Sequence, residues 1–277
     1  MLGGVLDIAE PAAPQVLFLP DDRGGVTVEI DGYPQSHVDL DDPGLLVYDY
    51  VQHLALAIDG LPPGPLAVTH VGGGGLTLPR YVHHTRPGST QIVLEPDATL
   101  TDQVRRKLPL PRGHRIRVRG VDGASGVRQL ADVSADVLVV DAYAVGRVPA
   151  ELVGPTFLAQ ARRVVRPAGL ILLNLADEPG LQYVARVAAT LAGHVAEIAL
   201  VATVEMFKGR RYSNVVVIGS DAPLTRLDLP RRVARCALPA SVRMPAEVAR
   251  LSRTARPFGP QGQSTPPPPA PGSWRRT

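Results

Sequence analysis

The chain has 277 residues, of which 45% are hydrophobic and 20% charged, and its formal net charge is +3 at pH 7. These values suit one large globular domain with accessory strands and tails, and they exclude a chain too polar to bury a core. No apolar run reaches the roughly 18 residues needed to cross a bilayer. The first ten residues carry acids and no basic segment typical of a secretory signal. We therefore expect a soluble cytoplasmic protein without a membrane partner.

The cysteine content and the distribution of charged residues limit the possible functions further. Cys236 is the only cysteine, so no internal disulfide can form, and no histidine cluster near it indicates a metal site. Nearly all basic residues are arginines, and from Asp221 onward ten arginines face three acids. Such a basic end could contact nucleic acid. Because aromatic residues are sparse there, we favour a solvated extension and consider nucleic acid an improbable partner.

The first 62 residues predict a small N-terminal region. Residues 1–14 lack a clear pattern and are taken as a loose N-terminus. Residues 15–62 predict a β-hairpin region, because short apolar strands are separated by turns and Asp31-Gly32 is a strong hairpin signal. A helix is predicted from Leu45 to Ile58 by its apolar spacing. The segment Leu61–Pro65 contains three prolines and a glycine, and it indicates a boundary.

Residues 63–222 alternate between strand and helix patterns and predict the main domain. The predicted strands are 66–71, 91–94, 115–118, 137–140, 170–175, 195–203 and 214–218, and the predicted helices are 76–85, 97–108, 125–131, 155–165 and 180–192. Continuous apolar strands alternating with helices indicate an α/β fold with a Rossmann-like, doubly wound, mostly parallel sheet. The last two strands, joined only by a basic loop at 208–211, indicate an antiparallel edge. Residues 223–257 then form a basic extension, and 258–277 are predicted to be a disordered Pro-rich tail.

The strongest local signal is the glycine-rich turn Gly72–Gly75, which follows the first central strand and precedes a helix. Glycines allow a tight turn and a close approach to a ligand, and free N–H groups at the start of a helix attract anionic or polar ligands. Thr77 stands where a dinucleotide fingerprint needs its last glycine, and no Gly-Lys-Ser/Thr follows for a phosphate loop. A site for another kind of nucleotide or nucleoside is therefore favoured.

Three acids follow later strands of the predicted sheet. Glu95 ends the next strand, 23 residues after Gly72, where an acid can accept hydrogen bonds from ribose hydroxyls. Asp122-Gly123 follows the third strand, and its carboxylate suits either an exocyclic amine such as that of adenine or a plain turn. Asp141 ends the strand at 137–140, where a carboxylate can hold an ammonium or act as a general base.

In this order, the turn and the three acids resemble the spermidine synthase (polyamine aminopropyltransferase) family, in particular its actinobacterial spermidine-synthase-like branch. The segment Ile30–Ser36 is similar to the N-terminal hairpin of that family, and Arg166–Leu170 is similar to the turn before the fifth strand of class I methyltransferase folds. The resemblance runs from about residue 26 to 218. It implies a class I methyltransferase type of core with a small N-terminal β region.

The resemblance also implies a function and a set of site residues. Family members transfer an aminopropyl group from decarboxylated S-adenosylmethionine to putrescine, and dimerisation is a family-level expectation. Gln35 would contact the nucleoside or its sulfur end, and Glu95 would hold the ribose. Asp141 would be catalytic. The remaining cofactor-binding positions by resemblance are Gly72, Gly73 and Gly74 along the ligand, and Asp122 and Gly123 at the adenine.

Two positions differ from the family pattern and keep alternatives open. The family places an acid at or next to Gly75, and Ala144 occupies the place of the second acid in its D-x-x-D motif. A buried polyamine needs carboxylates to replace its hydration. The nucleoside half of the site therefore matches the family better than the polyamine half does. We expect a spermidine-synthase-like transferase that binds decarboxylated S-adenosylmethionine or a related adenosyl thioether or sulfonium, with aminopropyl transfer to an amine in polyamine biosynthesis as the reaction that the resemblance implies. The alternatives are an S-adenosylmethionine-dependent methyltransferase and a non-catalytic nucleoside-binding protein.

Overall fold

The computed structural model describes residues 15–269; the segments predicted as a loose N-terminus (1–14) and as the end of the tail (270–277) lie outside this range. Strands β1 (Val16–Pro20), β2 (Val26–Ile30) and β3 (Tyr33–Val38) form a small antiparallel sheet. Asp31 and Gly32 have φ angles of 50° and 80°, so they form the left-handed turn expected of Asp-Gly between β2 and β3. The predicted hairpin is confirmed.

The main sheet contains eight of the described strands, in the order β11-β9-β10-β8-β7-β4-β5-β6. Its strands in chain order are β4 (Ala67–Val71), β5 (Thr90–Leu94), β6 (Ile116–Arg119), β7 (Ala135–Val140), β8 (Val165–Asp177), β9 (Glu197–Thr203), β10 (Ser213–Ser220) and β11 (Ala240–Arg243). Strands β4 to β8 are parallel, and β10 is antiparallel to both β8 and β9. The predicted doubly wound α/β fold is confirmed.

Helices cover both faces of this sheet. They are α1 (Asp49–Asp59), α2 (Thr77–Thr85), α3 (Ala98–Lys107), α4 (Gly123–Arg128), α5 (Pro155–Val164), α6 (Gln182–Leu191), α7 (Val204–Phe207), α8 (Leu229–Val233) and α9 (Pro245–Ser252). One core lies between the sheet and α4, α5 and α6, and a second lies beneath α1, α2 and α8. The small sheet packs through Val28 and Val38 against Leu100 and Val104 of α3. The small sheet thus lies over the carboxyl-end side of the main domain, near α2.

Three elements differ from the sequence expectations. Helix α1 begins at Asp49 rather than Leu45, because Tyr48 is extended and the Leu46 carbonyl accepts a hydrogen bond from the Gln52 side chain (2.6 Å). The last two predicted strands are separated by the one-turn helix α7, which Thr203 caps through the Met206 amide. The basic extension is ordered into α8, β11 and α9, and β11 pairs antiparallel with β9 at the sheet edge.

The C-terminal segment (residues 258–269) also differs from expectation, because it packs against the domain instead of being disordered. Phe258 and Thr265 are buried at 5% and 0% exposure. Thr265 accepts hydrogen bonds from the Val148 amide (3.0 Å, to Oγ1) and from Arg147 Nε (2.7 Å, to its carbonyl). The Tyr183 hydroxyl donates to the Gln263 carbonyl (2.7 Å). The proline-rich composition does not predict these contacts, since they depend on partners far away in sequence.

The Thr265 contact predicts a stability effect. Thr265→Val keeps the shape of the side chain but leaves the buried Val148 amide without an acceptor, so the free energy of unfolding should fall by about 1–3 kcal/mol. Urea denaturation measures this loss. Thr254→Val, at an exposed position in the same part of the chain, is the matched control and should change stability by less than about 0.5 kcal/mol. Equal effects of the two substitutions would contradict the assigned contact.

Candidate functional site

The carboxyl ends of β4 and β7 meet at the point where the strand order of the sheet reverses. In doubly wound sheets, ligands bind outside the strands at such a switch point. Gly72 follows β4 with φ of +95°, and a Cβ built there would lie 2.1 Å from the Asp141 carbonyl oxygen. Any other residue at position 72 would therefore push the two strand ends apart. The glycine keeps Asp141 next to the turn.

The turn after Gly72 is held by side chains from two other elements. The Gly73 amide donates to Glu95 Oε2 (2.9 Å), and the Gly75 amide donates to Ser36 Oγ (2.8 Å). A Cβ at Gly74 would come within 2.6 Å of Ser36 Oγ, so this glycine also permits close packing. The turn thus joins β5 and the small sheet at the edge of the switch point.

Two backbone amides hold the Glu95 carboxylate. Its Oε1 accepts a hydrogen bond from the Asp97 amide (3.0 Å), while its Oε2 accepts the one from Gly73. A carboxylate has about four acceptor positions, so each oxygen keeps a free lone pair. The two amides therefore fix the orientation of Glu95, and the carboxylate retains capacity to accept two further hydrogen bonds. Its role at the ribose stays a prediction.

The structure gives Asp122 and Gly123 local roles. Asp122 precedes α4 and accepts a hydrogen bond from the Ser125 amide (2.8 Å), which lowers the pKa of its carboxyl. A Cβ at Gly123 would lie 2.2 Å from the Val71 side chain, so the glycine lets α4 approach the end of β4. The contact of Asp122 with adenine stays a prediction.

A partly buried polar network fixes the carboxylate of Asp141. Asn174, on β8 and 1% exposed, donates from Nδ2 to Asp141 Oδ1 (2.8 Å). Asn214, on β10, donates to Asn174 Oδ1 (2.9 Å) and to the Tyr143 hydroxyl (3.1 Å). Burial raises the pKa of Asp141 to about 6, and the Asn174 hydrogen bond opposes this shift. Asp141 is therefore mostly ionised at neutral pH and close enough to its pKa to exchange a proton.

A small cavity of about 30 Å³ opens beside Asp141. This volume holds one water-sized group and is too small for a nucleoside. Its polar lining includes Ser36, Tyr50, His70, Gly72, Thr77 and Asp141. Burial, together with the Asp141 charge, raises the pKa of Tyr50 well above its usual range, so this hydroxyl stays neutral. The cavity is an inner polar end of the site.

The site combines predicted residues with residues that the sequence did not indicate. Gly72, Gly73 and Asp141 line the cavity, and Glu95 and Gly74 adjoin the same turn. Gln35 is not among the residues of the cavity lining; its side chain amide is 3.5 Å from the Tyr33 carbonyl of its own strand, and the next residue, Ser36, contacts the turn instead. The role of Gln35 at the nucleoside stays a prediction.

The unpredicted members are Ser36, Tyr50, Tyr143, Asn174 and Asn214. Asn174 had one detectable signal, since an amide within the otherwise apolar run 170–175 is unusual for a buried strand. The other four residues are brought into the site only by the tertiary fold, so no sequence pattern indicates them.

Within residues 15–269, no group of three or more His, Cys, Asp or Glu side chains is arranged to hold a metal ion. In the same part of the chain, no helix combines the length and apolarity of a membrane span.

Several solved structures share this fold. A probable spermidine synthase from Corynebacterium glutamicum aligns over 90% of this chain and 94% of its own, with a TM-score of 0.83 and 26% identity. A spermidine synthase in complex with the transition state analogue AdoDATO aligns over 82% and 76%, with a TM-score of 0.55 and 14% identity. Human methyltransferase-like protein 13 in complex with SAH aligns over 76% and 95%, with a TM-score of 0.55 and 19% identity.

Comparison of sequences matches a smaller part of this chain, 40%, than the 90% that the structural alignment covers. No protein-family model matches the chain. The eEF1A lysine and N-terminal methyltransferase of Bos taurus is 27% identical over 121 residues, and the match covers only 17% of that protein. Together with the strand order, these similarities define the chain as having the class I methyltransferase fold in its spermidine-synthase-like form.

The raised pKa of Asp141 predicts a pH-dependent stability cost. Burial raises the pKa of Asp141 from its ordinary value of 3.8 to about 6, so the folded protein binds more protons than the unfolded chain between these two pH values. This group therefore destabilises the fold as pH rises through that window. Asp141→Asn should therefore raise the free energy of unfolding at pH 7.5 by about 1–3 kcal/mol and have little effect near pH 4.

Denaturant unfolding at the two pH values measures this difference. Asp102→Asn, on α3 at an exposed position, is the control and should give no gain at either pH. A loss of stability in Asp141→Asn at pH 7.5 would contradict the burial of an ionised carboxylate.

Proposed function

We propose that this protein is a transferase that moves an alkyl group from an adenosyl sulfonium to an amine nitrogen. The observation that carries the proposal is the juxtaposition of Asp141, a partly buried carboxylate of raised pKa, with the glycine turn at the switch point. A carboxylate there suits an amine, because it attracts the ammonium form and accepts the proton that the nitrogen loses. Two backbone amides fix the orientation of Glu95, and its carboxylate suits the ribose of the same donor.

The donor would lie across the glycine turn, outside the ends of the strands. In this arrangement Glu95 accepts hydrogen bonds from the ribose, Gly72, Gly73 and Gly74 border the ligand, and Asp122 with Gly123 adjoins the adenine. Gln35 lies toward the sulfur end of the donor. The nucleoside itself does not need the cavity of about 30 Å³, which is left for the reacting nitrogen.

The reaction is a single in-line displacement. The amine lone pair forms a bond to the carbon beside the positive sulfur, and the electrons of the breaking carbon–sulfur bond neutralise the sulfonium. The proton leaving the nitrogen goes to Asp141, whose orientation Asn174 fixes. Most of the rate gain would come from holding the two reactants in line in a site that excludes water.

Aminopropyl transfer from decarboxylated S-adenosylmethionine is the first candidate reaction. It is supported by the probable spermidine synthase, whose structure covers almost the whole of this chain. The product nucleoside would be methylthioadenosine, and the protein would act in polyamine biosynthesis. Homodimerisation and a cytoplasmic location are further expectations from the resemblance and the sequence.

Methyl transfer from S-adenosylmethionine is the second candidate. It is favoured by the 27% identity to a methyltransferase whose name specifies lysine and N-terminal acceptors, both of them amines. The same Asp141 would serve either reaction, since both alkylate a nitrogen. The identity of the adenosyl donor therefore distinguishes aminopropyl transfer from methyl transfer.

The proposal is tested by titrating the protein with decarboxylated S-adenosylmethionine, S-adenosylmethionine and methylthioadenosine. We expect all three adenosyl ligands to bind with Glu95-dependent affinity. Glu95→Gln should weaken their binding by about 10–100-fold, because two charge-assisted hydrogen bonds are lost. Glu205→Gln, a substitution of an exposed acid paired with Arg210, is the control and should bind normally.

The two donors separate the candidate reactions. Tighter binding and turnover of the decarboxylated form would support aminopropyl transfer, and preference for the carboxylated form would support methyl transfer. If Glu95→Gln binds every ligand as well as the unsubstituted protein does, the site is wrongly assigned. If both donors bind without any amine being alkylated, the protein is a nucleoside-binding protein and the transferase proposal is wrong.

A further inference from the structure

A second and larger cavity lies over the amino ends of β4, β5 and β6, away from the glycine turn. Its volume is about 490 Å³, which is in the range of small-molecule sites. Helix α4 has six residues, so it is only about 9 Å long. Gly123 approaches the side chain of Val71 at the end of β4, and Gly126 does the same at the end of β5. The short helix therefore covers the ends of these strands and leaves the cavity over their first residues.

The charged residues of the cavity come from β6 and the two residues before it. Arg117 pairs in register with Ile92 of β5, whose side chain packs toward the core beneath α4, α5 and α6. The Arg115 carbonyl still accepts the Gln91 amide (2.9 Å), so the extended pairing continues to this residue. Because strand side chains alternate between faces, the two arginines project from the same face, about 6.6 Å apart along the strand. Both are exposed and line the cavity.

These two arginines have no counter-charge in the part of the chain that the structure describes. Neither forms a salt bridge there, and no acid is among the lining residues. Asp132 and Asp136 flank the lining residue Ser134 in sequence. The first of these acids is paired with Arg163 and the second with Arg166. The cavity therefore presents two cations whose charge the protein does not balance.

The surroundings of the cavity are also basic. Residues 103–121 contain seven arginines and lysines and no acid. His114, which lines the cavity, accepts the Ile116 amide at Nδ1 (3.1 Å), so its neutral ring carries the proton on Nε2 and can donate it to a ligand. Partial burial lowers the pKa of His114, and the positive charges of His83 and Arg105 lower it further. An anion would enter a region of positive potential.

Charge and the number of donors indicate which anion fits. Two arginines balance a dianion, and a phosphate monoester carries a charge of about −1.5 to −2 near pH 7, whereas a carboxylate carries one negative charge. The phosphate also presents three oxygens to the guanidinium groups and to the hydroxyls of Thr69 and Thr90. The volume leaves room for an organic part beyond the phosphate. Among the described lining residues there is no aromatic side chain on which a nucleobase could stack.

We propose that this cavity is a second ligand site, which binds a small organic phosphate monoester without an aromatic base between Arg115 and Arg117. The phosphate contacts both guanidinium groups, and the organic part extends over the first residues of β4 and β5. The glycine turn lies at the opposite ends of the same strands. This site therefore stands independently of the proposed transferase function.

Four probes test the proposal by their binding to the full chain: glucose 6-phosphate, glycerol 3-phosphate, glucuronate and glucose. Glucuronate carries a carboxylate at the end of the sugar where glucose 6-phosphate carries its phosphate. Calorimetry at pH 7.5 in about 0.15 M NaCl keeps non-specific attraction weak, because salt screens exposed charges. We expect both phosphate monoesters to bind once per chain, at least about tenfold more tightly than glucuronate, and glucose to show no measurable binding.

Substitutions assign the binding to the cavity. Arg115→Gln and Arg117→Gln should each weaken the binding of glucose 6-phosphate by at least about tenfold, because each removes one of the two guanidinium groups. Both side chains are exposed, so neither substitution disturbs the core. Arg106→Gln is the matched control, because Arg106 is exposed in the same basic stretch and is not a lining residue. It should change the affinity by less than about twofold.

Several results would overturn the proposal. Failure of both phosphate monoesters to bind would do so, as would glucuronate binding as tightly as glucose 6-phosphate. Equal losses of affinity in Arg106→Gln and Arg117→Gln would assign the binding to the general positive charge of the stretch. A single-stranded oligothymidylate that binds when neither monoester does would assign the surface to a nucleic-acid backbone instead.

Discussion

The contact between Gly72 and the backbone of Asp141 sets the geometry of the whole site. A side chain at position 72 would have to occupy space 2.1 Å from a carbonyl oxygen, so only glycine lets β4 and β7 end side by side at the switch point. The positive φ of Gly72 then turns the chain toward Glu95 and Ser36. The Asp141 carboxylate at the end of β7 and the backbone amides of the glycine turn after β4 are thereby brought to the same edge of the sheet.

The small N-terminal sheet is joined to this arrangement by hydrogen bonds. Ser36 of β3 accepts the Gly75 amide, and the Thr77 hydroxyl donates to the His37 carbonyl (2.8 Å), so two hydrogen bonds join the small sheet to the start of α2. Ser36 also lines the cavity beside Asp141. The polar inner end of the site is therefore completed by a sheet that lies outside the main domain.

The fold and part of the site could be predicted because they depend on local patterns. Apolar strands alternating with helices predict the parallel sheet, and acids at strand ends predict that Glu95 and Asp141 face the same edge as the glycine turn. Ser36, Tyr50 and Asn214 join the site through contacts far apart in sequence, and no local pattern indicates them. The role of Gln35, one residue before Ser36 on the same strand, stays a prediction.

The packing of the C-terminal segment could not be predicted from the sequence for a different reason. Proline and glycine content predicts disorder when a chain cannot bury apolar surface, yet Phe258 and Thr265 are buried against α6 and the loop after β7. Two buried residues and a few hydrogen bonds are enough to order a short segment, and such sparse contacts leave no periodic pattern.

The central claim is that an adenosyl ligand lies across the glycine turn with its sulfur directed at Asp141. A crystal structure of the complex with methylthioadenosine tests this most directly. We expect both ribose hydroxyls within hydrogen-bond distance of Glu95, and the sulfur on the Asp141 side of Gly72 and Gly73. A ligand bound away from this turn, or a ribose that makes no contact with Glu95, would contradict the account.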